Sequence, residues 1–517
     1  MVLSTKNSTS TIGVSGFSIY VPRFCVSLKE WCQWTGNSWE KGGANVGRSF
    51  RVAGPHESIY TMAANAALRL ILKYEVDPRQ IGFIGLGTES STDNSAGGII
   101  IKGMLDSALM SMGMPRISRR CEVPEFKHAC LGGVYALKGA SRYLAVDGKG
   151  KKAIVVSVDL AEYERGSSGE QTQGAGAVAQ LVEENPRLYT IDLNTAGSAS
   201  EYRGVDFRKP HRRHLNVSFP KDVLRFPDYP VFNGKYSLYC YTDQTFAALG
   251  HMMQNLDTDV RTLFNEVEGT FFHRPFHGLP VNVLAALYVW GLTQNEEHRK
   301  EFRSLCEAAS ADYDKAIEEA YAEPDLFEGA LEGRINEDVY PESSKVVKHF
   351  RKTVKFKSVL NRKMRLGVDA MMDLGNLYTG SLPAWIAAGF EEALRTEQNL
   401  AGKTFLTIGY GSGDAAEAIL IRAVEGWEES AAKIGFEKAL EGAIDLKREE
   451  YEALHDCLSS PCPHYEPSDQ FIVEHIGDHS NGFDDRGIEY YRYVPSKQDA
   501  DLTSSNRAMG YTRRPKC

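Results

Sequence analysis

Two stretches far apart in the chain follow one pattern. After the β-branched run "AIVVSVD" (153–159) comes "GAGAVAQLV" (174–182), and after "TFLTIGY" (404–410) comes "GSGDAAEAIL" (411–420). Both carry G-x-G-x-x-A followed by an apolar run. A duplicated chain is confined to folds that set two equivalent units together, here with one α/β unit ending near residue 190 and another near 425. Two unrelated glycine turns are the alternative, and the pattern alone leaves both readings open.

The surroundings fit an α/β protein. Short apolar runs bounded by glycine, "IGFIGLGT" (81–88), "KAIVVSVD" (152–159) and "KTFLTIGYG" (403–411), predict strands buried on both faces. They alternate with helical patterns at "YTMAANAALRLILKY" (60–74), "LGGVYALKGASRYLAV" (131–146) and "SLPAWIAAGFEEALR" (381–395). The stretch from about 295 to 365 is helix-favouring and heavily charged, which predicts a solvated helical excursion whose basic end could reach a phosphate. The tail from about 425 onward mixes aromatic and charged residues, and Cys517 is too close to the end for prenylation.

No run approaches the roughly 18 apolar residues of a membrane span; "VNVLAALYVWGL" (281–292) is short and holds Asn282, so it predicts a buried helix. The first dozen residues are polar and predict neither a secretory signal nor a transit peptide, so the expected compartment is the cytoplasm. The nine cysteines are scattered, with Cys25 and Cys32 or Cys457 and Cys462 the close pairs, and none forms a zinc-spaced set; no metal is expected and no disulfide is required. A net charge of -9 disfavours nucleic acid as a partner, although local basic clusters could hold a small phosphorylated ligand.

Several residues could carry chemistry. Cys130 stands at the head of a helical pattern, where unpaired N–H groups and the helix dipole favour a thiolate, and Gly132 and Gly133 allow close approach. A buried structural cysteine is the competing reading. Glu89 ends a strand-like run, where ligands of open α/β sheets sit, and is placed to act as a base, with Thr88 and Asp93 as rivals. His273 precedes Arg274-Pro275 at the end of an apolar run, with His277 and His251 as rivals, and Asn376 lies in "GNLYTGSLP" (375–383) before a predicted helix. The glycine loops "GEQTQGAGA" (169–177) and "GYGSGD" (409–414) fit neither a Walker A nor a dinucleotide fingerprint. Nucleotide hydrolysis and hydride transfer are therefore disfavoured, and backbone N–H groups for an oxyanion are the remaining use.

Taken in order, Glu89, Cys130, "GEQTQGAGAVA", His273 with Pro-Phe, "GNLYTGSL" and "GYGSG" resemble hydroxymethylglutaryl-CoA synthase, of the thiolase superfamily. The similarity runs from about residue 12 to 425 and includes "RGVDFRKP" (203–210) and "YPVFNGKYSLYCY" (229–241). The resemblance implies a thiolase fold of two duplicated halves in five α-β-α-β-α layers, usually a homodimer. The halves would be 12–190, with Glu89 and Cys130, and 191–425, with His273, Asn376 and the excursion, followed by an extension over 426–517. It implies that Cys130 takes an acetyl group from acetyl-CoA, that Glu89 deprotonates its methyl, and that the carbanion attacks acetoacetyl-CoA while His273 hydrogen-bonds the carbonyl oxygen. Asn376 would bind the acetoacetyl group, the N–H groups of Cys130 and Ser412 would meet the enolate oxygen, and Asp159, Tyr163, Thr172 and Asp206 would surround the site. Coenzyme A thioesters are substrates, and no cofactor is implied.

Two departures stand out. The family usually has tyrosine after the nucleophile, where this chain has Leu131, expected to remove a hydroxyl near the acyl group. Most coenzyme A-using members place a lysine shortly after the histidine's Pro-Phe/Tyr pair, where this chain has His277 and Gly278. A glycine there resembles the branch that takes acyl groups from an acyl carrier protein in polyketide β-branching. A non-catalytic acyl-binding or scaffold subunit is the reading from another class, and the joint presence of Glu89, Cys130 and His273 argues against it.

Overall fold

The strand-like runs lie side by side in one sheet. In the computed structural model, which describes residues 11–221, 229–457, 463, 465–479 and 482–496, the strands are β1 Ile12–Tyr20, β2 Phe24–Ser27, β3 Ser49–Val52, β4 Ile81–Gly87, β5 Glu125–Phe126, β6 Lys152–Ala161 and β7 Gly174–Glu184. They continue with β8 Tyr189–Ser200, β9 Gly269–Phe272, β10 Thr404–Gly411, β11 Ala415–Ala423, β12 Ile444–Asp445, β13 Gln470–Ile476 and β14 Glu489–Val494. Residues 1–10, Cys462 and Cys517, on which sequence expectations fell, lie outside the described residues.

Nine strands pair in the order β5-β4-β6-β7-β1-β8-β11-β10-β9. Apart from β5 the order is a palindrome about the β1/β8 contact. Each side has a strand parallel to the first arm of an antiparallel hairpin, β4 to β6 with β7 and β9 to β10 with β11. A final strand lies antiparallel to the second arm, β1 on β7 and β8 on β11. The two glycine stretches therefore occupy equivalent places, one opening β7 and one leading into β11. The two sets join through only two residue pairs, Gly13 with Thr190 and Val14 with Tyr189.

Because side chains alternate along a strand, each half-sheet buries two faces. On β6, Ile154, Val156 and Val158 meet the helices Ile59–Lys73 and Gly97–Ser111, while Ala153 and Val155 face the opposite core with Val134, Ala136 and Leu144 of the helix Gly132–Val146. On β10, Gly409 lies against Leu131 and Val134, and Phe405 packs on Phe390 of the helix Ser381–Arg395. The other face of β10 carries Tyr410, whose ring lies 4.6 Å from that of Tyr241 in the helix Lys235–Leu256. The layers are thus helices, half-sheet, a central helix pair, half-sheet, helices. This is the thiolase arrangement.

Residues 296–363 form five helices, four of them capped by the side chains of Asn295, Asp312, Asp325 and Thr353. They are less solvated than their charge predicts. Phe302, Cys306, Val346, Phe350 and Phe356 line one buried face, and Phe350 stacks on Tyr288 of the buried helix Gly278–Thr293 with ring centroids 4.5 Å apart. After residue 425, β12 pairs with β2, and Tyr451 and His455 reach the 163–173 region. No helix among the described residues is long and apolar enough to cross a membrane.

Candidate active site

The carboxyl ends of parallel strands in the two half-sheets converge on Cys130. Glu89 follows β4, Cys130 follows β5, Tyr163 follows β6, His273 directly follows β9, and Ser412 directly follows β10. The convergence is tight at Gly411, where a Cβ would stand 2.5 Å from the His128 carbonyl oxygen and 2.9 Å from the Leu131 nitrogen. Glycine there lets the backbone before Ser412 close directly onto the loop that carries the thiol.

The Cys130 Sγ lies 4.0 Å from Glu89 Oε2. Around it stand the rings of Tyr163, Tyr378 and Phe207, mutually edge-on with centroids 5.7 to 6.3 Å apart. Three residues at this site, Ala129, Phe207 and Tyr378, hold φ values of +41°, +51° and +43°. Non-glycine residues in the left-handed region are strained, and such strain collects where a side chain must be aimed rather than relaxed.

The thiol differs from the state its helical position predicts. Burial pushes the Cys130 thiol well above its ordinary range, and the negative charges of Glu89 and Asp159 push the same way, against its own backbone N–H. The helix begins only at Gly132, so the dipole acts from a distance and loses to desolvation and three carboxylates, the third being Asp206. Cys130 rests as a neutral thiol.

Glu89 is pushed up to about 8, first by burial and then by Asp159, with Lys209 and Lys127 opposing. A carboxylate so shifted is a competent base near neutral pH. His273 is pulled down to about 3 by burial and is therefore a neutral imidazole. Its carbonyl accepts from Tyr241 Oη at 2.8 Å, its ring lies beside Tyr410 at 6.4 Å, and its buried Nδ1 has no partner among the described residues. A neutral imidazole can donate one hydrogen bond to a substrate oxygen.

Asn376 is buried, and its Oδ1 accepts from the Tyr378 N–H at 2.8 Å and the Ser381 hydroxyl at 3.0 Å, which leaves the amide nitrogen as the donating end. Thr172 accepts from the Asn376 N–H through its carbonyl at 3.0 Å, and its hydroxyl donates to Gly169. Tyr163 is held from behind, its N–H by Gln173 and its carbonyl by His455 at 2.8 Å.

Asp159 sits beneath the site. Its Oδ1 accepts from Thr88 Oγ1, the Glu89 and Ser90 N–H groups and Ser90 Oγ, and its Oδ2 from the Thr379 N–H and hydroxyl. One carboxylate thereby ties the Glu89 loop to the Asn376 loop. Asp159→Ala is expected to cost about 3 kcal/mol in urea unfolding, since it strands several buried donors at once.

Leu131 is fully buried and points into the central core against Gly409 and Gly411, not toward the acyl pocket. The side chain at position 131 thus packs in the central core rather than with the aromatic residues around Cys130. Gly278 opens its helix beside the exposed Asn45, whose Nδ2 would lie 2.4 Å from a Cβ there, so a longer side chain would have to displace only the end of the Asn45 side chain.

Asp206 accepts from Ser237 Oγ at 2.5 Å and Tyr410 Oη at 3.1 Å, and Tyr410 Oη also lies 3.0 Å from Asp414 Oδ1. Asp414, which sequence reasoning missed although it ends the "GSGD" turn, is pushed up to about 8 by burial and by Asp206. Asp206, Cys240 and Asp414 bring ligand atoms within 4.8 Å of one another, the spacing a metal ion would need. Arg203 Nε, 3.9 Å from Asp414 Oδ2, already supplies positive charge there. Phe207, Tyr378, Lys209, Tyr241, Tyr410 and Thr379 are further site residues not singled out from sequence. A cavity of about 1140 Å³ lies elsewhere, between the helix Lys235–Leu256 and the 296–350 helices, and none of Glu89, Cys130 or His273 lines it.

Residues 8–186 match the family model described as hydroxymethylglutaryl-coenzyme A synthase N terminal, and residues 218–456 match its C-terminal counterpart. The chain is similar to the hydroxymethylglutaryl-CoA synthase of Haloferax volcanii, 28% identical over 403 residues covering 78% of this chain and 81% of the relative. It is similar to that of Enterococcus faecalis, 26% identical over 451 residues covering 86% and 91%. Among solved structures it is similar to MvaS in complex with 3-hydroxy-3-methylglutaryl coenzyme A, with a TM-score of 0.72, 24% identity and coverage of 94% of this chain and 100% of that one. The curacin pathway HMG synthase in complex with acetyl donor-ACP gives a TM-score of 0.66 at 19% identity, with the same coverage.

Proposed function

The chain belongs to the hydroxymethylglutaryl-CoA synthase family, and from that premise we propose that it condenses acetyl-CoA with acetoacetyl-CoA to 3-hydroxy-3-methylglutaryl-CoA through an acetyl thioester on Cys130. The observation that carries this reading is the 4.0 Å approach of Glu89 Oε2 to the Cys130 Sγ inside an aromatic enclosure. An acetyl group on that sulfur puts its methyl within reach of the carboxylate.

The steps balance without a cofactor. Cys130 sulfur bonds to the acetyl carbon of acetyl-CoA, and coenzyme A leaves with the thiol proton. Glu89 takes a methyl proton, and the N–H groups of Cys130 and Ser412 receive the enolate oxygen. The methylene carbon then attacks the ketone carbon of acetoacetyl-CoA, whose oxygen meets neutral His273 and gains a proton in place of the one Glu89 took. Asn376 holds the acetoacetyl group. Water cleaves the thioester to Cys130, leaving a free carboxylate and restoring the thiol.

Mixing both thioesters with the protein is expected to release coenzyme A and form the six-carbon product. Glu89 must be ionised to act, and its upward shift means that turnover rises tenfold per unit of pH below about 8 and levels off above it. A turnover profile flat from about pH 6 to pH 9 would contradict Glu89 as the base. Absence of both coenzyme A release and acetylated Cys130 would overturn the reaction itself.

The mevalonate route to isoprenoids is the setting this reading implies, with the enzyme a cytoplasmic homodimer. Exposed Ile99 and Met110, on a helix flanking the sheet edge, support an apolar contact with a second copy. Gly278, standing where most coenzyme A-using members place a lysine, favours one second reading, in which a carrier protein delivers an acyl group to the same Cys130.

A further inference from the structure

The hairpin of β13 and β14 lies beyond residue 456, outside both family-matched segments, and the reaction as derived makes no use of it. It is nevertheless bound closely to the N-terminal half. Asn65, buried in the helix Ile59–Lys73, accepts from the Phe471 N–H at 2.7 Å and donates to the Phe471 carbonyl at 3.3 Å. A side-chain amide that both accepts from and donates to one residue's backbone fixes that residue's register. The Val473 N–H donates to the His56 carbonyl at 2.9 Å, and the Phe471 side chain is buried in the same core as that helix.

Opposite Val473 in the hairpin stands Tyr491, whose ring meets that of Tyr60 edge to face, with centroids 6.3 Å apart and planes at 74°. Tyr60 is buried in the first turn of the helix that Asn65 belongs to, and its hydroxyl donates to Asp93 Oδ2 and lies 3.2 Å from Ser91 Oγ. Ser91 and Asp93 come two and four residues after Glu89, in a loop whose residues 92–95 are exposed. The Glu89 end of the loop hangs on Asp159, and the Ser91 carbonyl accepts from Lys127 Nζ. Burial and then Glu489 push the Tyr491 hydroxyl up, and Tyr60 and Asp93 add to the same shift. Contacts thus run without a break from Tyr491 through Tyr60 to the loop that carries Glu89.

We propose that Tyr491 is a positioning residue for the condensation step: by holding the Tyr60 ring it fixes the 89–93 loop and keeps the Glu89 carboxylate in reach of the acetyl methyl on Cys130. This rests on the condensation reading above and deepens it. Proton abstraction from a methyl group needs the base at hydrogen-bond distance and in one direction, so a small displacement of the loop costs rate. Formation of the thioester does not use Glu89 and is insensitive to that displacement. Tyr491 itself touches no substrate, and its effect falls on kcat rather than on binding.

The test is Tyr491→Ala in the full chain, with Tyr491→Phe and Tyr60→Phe beside it. Two readouts are followed, single-turnover acetylation of Cys130 by acetyl-CoA or an acetylated acyl carrier protein, and steady-state condensation with acetoacetyl-CoA. Alanine at 491 is expected to lower the kcat of condensation about tenfold at unchanged KM, with acetylation kept within about twofold of the wild type. Tyr491→Phe keeps the ring on Tyr60 and is expected to restore condensation. Tyr60→Phe does not depend on the hairpin; it removes the hydroxyl that holds Ser91 and Asp93 and is expected to give the same split. Adding Tyr491→Ala to Tyr60→Phe is then expected to cost no more than about a further twofold. Wild-type condensation in Tyr491→Ala or in Tyr60→Phe, equal losses in acetylation and condensation, or a further full tenfold loss in the double variant overturns the positioning role. Wild-type protein that is acetylated by no donor, or that condenses nothing, overturns the condensation reading and this role together, whereas an active wild type with an indifferent Tyr491→Ala overturns this role alone.

Discussion

Cys130→Ala is expected to lower product formation by at least about 10^4-fold and to leave no acetylated protein, because the thioester has no other sulfur to form on at this site. Among the described residues the free cysteines besides it are Cys25, Cys32, Cys121, Cys240, Cys306 and Cys457. Of these, Cys240 lies beside Asp206 and Asp414, and burial first and then those two charges push its thiol far up. The substitution removes a side chain from a pocket walled by Tyr163, Tyr378 and Phe207 and leaves the hydrogen bonds of Asp159 untouched. Thermal unfolding should therefore stay close to wild type while activity vanishes. An alanine variant that still accumulates acetyl on the protein would place the nucleophile elsewhere.

Glu89→Gln separates the two half-reactions. The amide keeps the size and the backbone hydrogen bond to Asp159 but cannot accept a proton from the acetyl methyl. Cys130 is expected to acetylate still, since the departing coenzyme A carries off the thiol proton, and condensation is expected to fall by about 10^3-fold. Acetyl-Cys130 should then accumulate in the presence of acetoacetyl-CoA, where the wild type turns it over. Loss of acetylation and condensation in equal measure would give Glu89 a part in forming the thioester instead.

What could be read from the chain divides along physical lines. The runs that became β4, β6 and β10 declared themselves because both faces are buried and their residues are almost wholly apolar. The glycine repeat was visible as a pattern, but its equivalence needed the palindromic strand order. The 296–363 helices were legible from charge and spacing, whereas the burial of Phe302 and Phe350 depends on a helix ending at Thr293 that local sequence does not weigh against them.

At the site, the order of motifs pointed to Glu89, Cys130 and His273, and the structure brings their strand ends together. The protonation of Cys130 was not legible, because it is set first by burial and then by carboxylates at 89, 159 and 206, all of which only the fold brings about. Asp159 carries no local sign that six donors from two loops meet on it. Phe207 and Tyr378 adopt the left-handed region without being glycine or asparagine, so their types give no cue to the bend that aims them. Leu131 stood out as a lost hydroxyl only by comparison with the family's tyrosine, and its packing against the two glycines of β10, inside the core, needed the fold.

The central claim is that the neutral thiol of Cys130 carries an acetyl group while Glu89, 4.0 Å away, deprotonates it. Intact-mass spectrometry after exposure to acetyl-CoA, followed by addition of acetoacetyl-CoA, tests it in one experiment. The account predicts a single added acetyl mapped to Cys130, its disappearance on adding acetoacetyl-CoA, and the matching appearance of 3-hydroxy-3-methylglutaryl-CoA. An unmodified protein with either acetyl-CoA or acetylated carrier protein, or an acetyl group on another residue, would contradict it.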